Sequence, residues 1–233
     1  MNDEWLTAFV LHRRPYRETS YIVDFFTLEE GRVSAVAKGV KNSKSDKKSL
    51  LQPFQALRLQ LAGKSELKNL RHVENTAASL IFPGKALFCA MYVNELVNRI
   101  MPSGLSSDGL FHAYTTALTA LSSSSDLELT LREFEFSLLE EMGLLPDFTF
   151  DLQNDEPIVE TTTYYLHPEL GFYATPDGRQ ARGFPGAALL GLARGEFDDV
   201  GKKVAKVLCR DLLKPLIGDK PLKSRELFSV RKR

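Results

Sequence analysis

Cysteine is nearly absent from this 233-residue chain: only Cys89 and Cys209 occur. Two widely separated cysteines exclude a disulfide framework, and no C-x-x-C pair offers the spacing of a tetrahedral metal site. Each lies in an apolar, helix-like pattern, which reads as a buried reduced thiol. Histidine is scarce too, and His12, His72, His112 and His167 show no ligand spacing, so no metal is expected. No apolar run approaches the ~20 residues of a membrane-spanning helix. The opening "MNDEWLTAFVLHRRPY" places acids first and has too short an apolar run for a secretory signal. A soluble, cytoplasmic protein is expected. There is no internal repeat, and the only low-complexity run is four serines before Asp126.

Net charge is also missing, since 30 Lys/Arg balance 30 Asp/Glu. Taken alone, that argues against a nucleic-acid partner. The distribution argues the other way. Residues 1–80 carry 13 basic and 9 acidic side chains, net +4; residues 81–199 carry 6 and 18, net −12; residues 200–233 carry 11 and 3, net +8. A basic front, an acidic middle and a basic tail make a polarised molecule.

What is present first is a period of two. Leu6, Ala8 and Val10 alternate with Thr7, Phe9 and Leu11; Tyr21, Val23 and Phe25 follow; Glu29-Glu30-Gly31 turns the chain into Val33, Ala35 and Ala37. "FQALRLQL" and "SELKNLRHV" complete five short strands joined by Gly-containing turns. That suits a small closed barrel, with an open five-stranded sheet as the alternative. With basic loops and with aromatics such as Tyr16, Tyr21, Phe25 and Phe54, an OB-fold is expected over 1–80, although Tyr21 and Phe25 read as core. From about Pro83 the period becomes helical. Helices are expected over 86–100, from a cap at Asp108 to about 121, over 127–142, near 184–194 and over 199–214, the last stopped by Pro215 and Gly218. The reading is α+β: a barrel domain at 1–80, then a mainly helical domain at 81–233 with a loop or hairpin near 147–182.

No catalytic constellation is visible. "AGKS" at 62–65 resembles the end of a phosphate-binding loop, but Arg58 stands where that motif needs Gly, and strands flank it. Glu140-Glu141, Asp155-Glu156 and Asp198-Asp199 read as solvated acids, and no nucleophile stands with a base. The protein is expected not to be an enzyme. Binding chemistry is better represented. Lys38, Lys41, Lys44, Lys47 and Lys48 meet one acid, Asp46, in a Ser- and Asn-rich loop. In the last long helix Lys202, Lys206, Arg210 and Lys214 recur at i+4, away from Val200, Val204, Val207 and Leu208.

Six stretches carry a further signal: "AFVLHRRPYRETS", "EEGRVSAVAKGVKNSKS", "LQPFQALRLQLAGKSELKNLR", "MYVNELVNRI", "LREFEFSLLEEMG" and "LLKPLIGDKPLKSRELF". Together, in order and over nearly the whole chain, they resemble the RecO family of bacterial recombinational repair proteins. The resemblance implies an N-terminal OB-fold, a helical C-terminal domain and no cofactor. It implies a mediator that binds single- and double-stranded DNA, anneals complementary strands and, with RecR, helps load RecA on DNA coated by the single-strand binding protein SSB. Many members carry a four-cysteine zinc module where this chain has 147–182; with no cysteine there, the zinc-free branch is implied. The candidate DNA contacts are Arg14, Arg32, Lys38, Lys41, Lys44, Lys47, Lys48, Arg58, Lys214, Lys220, Lys223 and Arg225. An RNA- or ribosome-binding OB protein is the alternative, and a metal-dependent nuclease a more distant one.

The helix at 127–142 has two apolar stripes. Leu127, Leu131, Phe134, Leu138 and Met142 read as core. Leu129, Phe136 and Leu139 lie opposite, with Arg132 among them. Either the helix is buried on both sides with Arg132 paired to an acid, or Leu129, Arg132, Phe136 and Leu139 form a groove for the acidic SSB tail, which ends in an aromatic residue and a free carboxylate.

Overall fold

The structure is a computed structural model that describes residues 4–41, 47–123, 126–167, 171–174 and 183–229. In chain order the elements are β1 (Leu6–Tyr16), β2 (Ser20–Thr27), β3 (Gly31–Ala37), α1 (Lys47–Leu50), β4 (Ala56–Ala62), β5 (Leu67–Asn75), α2 (Lys85–Ile100), α3 (Asp108–Ser122) and α4 (Leu127–Glu141). They continue with β6 (Phe150–Asp151), β7 (Glu156–Pro157), β8 (Thr163–His167), β9 (Gly171–Tyr173), β10 (Phe184–Pro185), α5 (Gly186–Ala193), α6 (Asp199–Ile217) and α7 (Lys223–Ser229). Packing divides them into two compact units, residues 1–130 with 217–233, and residues 131–216. The change of period near residue 80 is therefore not where packing divides the chain: α2, α3 and α7 belong with the barrel.

In the first unit, strands β1-β2-β3-β5-β4 close a barrel. All neighbours are antiparallel except β3 and β5, whose parallel pairing at Val36 and Asn69 joins the two halves of the sheet. This is the OB-type order, and closure leaves no open edge. Leu6, Ala8, Val10, Val23, Phe25, Val33, Leu57 and Leu59 fill the interior. The outward Phe9 and Phe26 are buried as well, because Phe111 and Tyr114 of α3 pack on them with ring centroids 5.3–5.8 Å apart. Those two strands are covered on both faces, hence their nearly unbroken apolar runs. At the β2–β3 turn only glycine fits: Gly31 has φ +64°, and a Cβ there would collide with the Leu105 carbonyl.

Ser107, not Asp108, caps α3; its side chain accepts the Leu110 N–H at 3.1 Å, and Asp108 is a first-turn acid. The "AGKS" stretch is the β4–β5 turn, with Gly63 at φ +113°. Helix α6 continues through Pro215 to Ile217, and Gly218, at φ +70°, follows its end.

In the second unit, α4 from Leu131 onward, α5 and α6 accompany a five-stranded sheet, β10-β8-β9-β6-β7, in the region expected to be a loop or hairpin. Its core includes Phe148, Tyr164, Phe172, Phe184, Leu189 and Leu208. Asp151 organises the sheet. Its buried carboxylate accepts from the Gln153, Asn154 and Ala174 backbone N–H groups and from Asn154 Nδ2, at 2.8–3.2 Å. Burial raises the pKa of that carboxyl, but these bonds outweigh it and hold it below the usual value.

Neither Cys89 nor Cys209 is in a disulfide; both are buried, in different units. Among the described residues, no group of three His, Cys, Asp or Glu side chains is placed to hold a metal ion, and no helix is long and apolar enough to cross a membrane.

Candidate nucleic-acid interface

Counting by twos from Leu6, Ala8 and Val10 would send His12 and Arg14 into the barrel. A β-bulge between Val10 and His12 shifts the phase. Beyond it His12 pairs with Asp24 and Arg14 with Ile22, the outward neighbours of the core residues Val23 and Phe25. The bulge is held by the buried Asn94 of α2, whose Nδ2 donates to the Val10 and Leu11 carbonyls at 3.2 and 3.0 Å while Oδ1 accepts the Tyr114 hydroxyl at 2.6 Å. Asp24 beneath is 4% exposed and accepts the Ser34 hydroxyl at 2.6 Å, with His12 at 3.7 Å and Arg14 at 3.8 Å. Burial raises its pKa, but His12, Ser34 and the Arg14 charge outweigh burial and keep the carboxyl below its ordinary value. The charged Asp24 thus steadies Arg14 on the outer surface.

Two hollows adjoin along this face of β1. One, of about 630 Å³, lies between the β1–β2 hairpin (Tyr16 to Ser20), Val36 and Lys38 of the β3 end, and Leu67 to Asn69 of β5. Three cations line it, Arg17, Lys38 and Lys68, against one acid, Glu18. Arg17 adopts φ +52° and sets its guanidinium 5.1 Å from the Tyr16 ring centre. The other, of about 750 Å³, is bounded by Leu11, His12 and Arg14 of β1, by Pro53 and Phe54, by α2, and by the stretch from Lys220 to Leu227. Arg14 and Tyr16, two residues apart on one strand face, connect the hollows.

A clasp on α2 brings the C-terminal lysines to Arg14. Arg99 Nη2 donates to the Ile217 and Lys220 carbonyls at 2.6 and 2.7 Å, and Nη1 donates to that of Pro221 at 3.2 Å. The Glu95 carboxylate accepts from Lys223 N–H, Ser224 N–H and the Ser224 hydroxyl at 2.7–3.0 Å, capping α7. Burial raises the Glu95 pKa, yet the Ser224 and Lys223 bonds and Arg99 lower it by more, so it stays ionised. Glu95 and Arg99, at i,i+4 on α2, are thus mainly backbone anchors, their own N–O distance being 3.9 Å.

Of the sequence candidates, the structure brings Arg14, Lys220 and Lys223 to one hollow and Lys38 to the other. It sets Tyr16, one of the aromatics singled out in the sequence, beside Arg17 and Lys68, which sequence reasoning missed; the hairpin position of Arg17 next to Tyr16 is the one signal that could have found Arg17. Lys47 and Lys48 are exposed on α1, and the Lys48 carbonyl accepts from Arg13 Nη1 at 3.0 Å. Lys41 is half-buried, and Lys44 lies outside the described residues. Arg58 stacks over Trp5, with its guanidinium carbon 5.2 Å from the ring centre, and Arg225 over Tyr92 at 5.6 Å. Arg32 is half-buried and its Nε donates to the Met101 carbonyl at 2.9 Å. Lys214 belongs to the second unit, exposed on α6 with Lys206 and Arg210, whereas Val200 on that helix is 51% exposed rather than core.

The second stripe of α4 is interior. Leu139 is fully buried, Phe136 packs on Phe148 and Phe197 with ring centroids 5.4 and 5.9 Å away, and Leu129 is half-buried. Arg132 is 7% exposed and its Nη2 donates to Glu135 Oε1 at 2.8 Å. This is the buried-on-both-sides alternative: Arg132 is paired through Nη2 to Glu135 in the interior, not presented in an open groove. Burial and the neighbouring Glu135 push the Cys209 thiol well above its ordinary pKa, so it stays neutral.

A closed OB-type barrel with cation-lined hollows is the architecture of an oligonucleotide-binding class. The family models "Recombination protein O N terminal" and "Recombination protein O C terminal" match residues 1–78 and 83–226. Three proteins called DNA repair protein RecO are similar end to end. That of Alteromonas mediterranea is 70% identical over all of both chains. That of Pseudoalteromonas atlantica is 45% identical over 98% of this chain and 95% of its own. That of Haemophilus influenzae is 44% identical over 98% and 97%. The chain belongs to the RecO family, and its role is in DNA repair and recombination.

Proposed function

We propose that this chain is a non-enzymatic recombination mediator that binds single- and double-stranded DNA and anneals complementary strands. The observation that carries the reading is the run of cations, Lys68, Lys38, Arg17, Arg14, Lys220 and Lys223, along two adjoining hollows of one barrel. Phosphates met by these groups release counterions, which supplies affinity without base recognition and suits strands of any sequence. Annealing needs just that: two strands held at high local concentration with base edges unread. Family membership supports the rest of the proposal. The protein cooperates with RecR and with the tail of SSB to load RecA on SSB-coated DNA, in the cytoplasm at the nucleoid.

The test is annealing of two complementary oligonucleotides in chelator, followed by incubation with Mg²⁺. Faster duplex formation, intact strands after Mg²⁺ and weaker binding to a matched RNA are the expected outcomes. Mg²⁺-dependent cleavage, or tight binding to RNA with no annealing of DNA, would overturn the reading.

A further inference from the structure

Resting on that DNA-binding reading, we propose that the larger hollow is a base-holding subsite: it takes a nucleobase unstacked from a single strand, while Arg14, Lys220 and Lys223 hold the flanking phosphates. The lining is divided by chemistry. Pro53, Phe54, Met91 and Leu227 offer apolar surface, and the three cations stand beside it. Of the acids there, Glu95 is engaged by Lys223 and Ser224, which leaves Glu226 against those three cations.

Phe54 is the second observation. It adopts φ +68°, a strained conformation for a non-glycine residue that is retained where the surroundings enforce it. Its N–H donates to the Val10 carbonyl at 3.2 Å, beside the Asn94-held bulge. Its ring meets Phe82 edge-on at 4.9 Å and remains half-buried at the hollow. A ring fixed in this way is pre-ordered for stacking, which loses little side-chain entropy on binding. Met91, 40% exposed on α2, adds an adaptable apolar surface.

Size and continuity favour a nucleotide. A hollow of about 750 Å³ lies in the range that encloses a small molecule, so it admits an extruded base and excludes a stacked duplex. The strand leaving it along β1 passes from Arg14 to Tyr16, Arg17 and Lys38. The subsite therefore gives single strands an affinity component that duplexes lack, and lets a strand go when it pairs.

The experiment compares oligothymidylate with an all-abasic strand of the same length on the full chain and on Phe54→Leu. The parent should prefer the strand with bases by about tenfold, as one stacked base provides. Phe54→Leu should lose that preference while keeping the parent's salt slope, because no phosphate contact is removed. Should Phe54→Leu fold poorly, Met91→Ala is expected to diminish the same preference. A parent blind to bases, or a well-folded Phe54→Leu that still prefers them, overturns the subsite while leaving DNA binding intact. Absence of DNA binding by the parent would overturn both readings. If an acidic, Phe-containing peptide bound there, was lost in Phe54→Leu and left DNA binding unaffected, the hollow would be a peptide groove instead.

Discussion

Arg132→Ala is expected to lower stability by about 3–5 kcal/mol, the cost of removing one member of a buried ion pair. Arg132 and Glu135 are 7% and 1% exposed and meet at 2.8 Å, so truncation leaves a buried carboxylate beside a vacancy where its cation stood. The double variant Arg132→Met/Glu135→Leu should recover most of the loss, since apolar replacements of similar volume commonly match or exceed such pairs. Urea unfolding of the three proteins checks this. An Arg132→Ala protein within about 1 kcal/mol of the parent, the range of exposed pairs, would show that the pair is not interior. The same result governs binding experiments at this position: a weakened partner there reports on the folding of α4 first.

Asn94→Leu should be nearly as costly. The substitution removes two donors to β1 carbonyls and the acceptor of the Tyr114 hydroxyl, all in the interior of the first unit. The Val10 carbonyl keeps the Phe54 N–H, so the groups that lose this partner are the Leu11 carbonyl and the Tyr114 hydroxyl; at about 1–3 kcal/mol for each, a total near 3–4 kcal/mol is expected. Tyr114 is fully buried, which pushes its hydroxyl pKa upward and keeps solvent from taking the place of Asn94. At about 2–4 °C per kcal/mol for a chain of this size, melting should fall by roughly 6–16 °C. Because Asn94 holds the bulge that turns Arg14 outward, DNA affinity should fall with it, at temperatures where the protein is still folded. Unchanged melting would refute the anchoring role.

Strands β1 to β4 were legible because each buries at least one face, and alternation such as Leu57-Leu59-Leu61 follows directly from the pleat; β5 has no fully buried residue and alternates poorly. The long helices were legible for the same reason at another period. The bulge was not. Its cause lies in Asn94, 83 residues beyond Leu11, and a phase shift enforced from that distance leaves no local trace; yet it decides whether Arg14 faces solvent. Strands such as β6 and β7, two residues each, are too short to show a period, and Asp151 reads as a loop acid until its four donors are in place. Helix α7 was hidden in a basic tail, because what fixes it is Glu95 on α2 rather than its own sequence. Arg132 carried a readable signal, Glu135 one turn on, which pairs the charge within the helix itself.

The central claim is that phosphates lie on the outer face of the barrel, and the salt dependence of single-strand binding tests it most directly. Arg17, Lys38 and Lys68 line one hollow, and Arg14 is left in place because it balances the buried Asp24. Arg17→Gln/Lys38→Gln/Lys68→Gln should keep the melting temperature and flatten the slope of log K against log salt by roughly 2, at about 0.7 per lost phosphate contact. A folded triple variant with the parent's slope would contradict the account and place the DNA elsewhere on the protein.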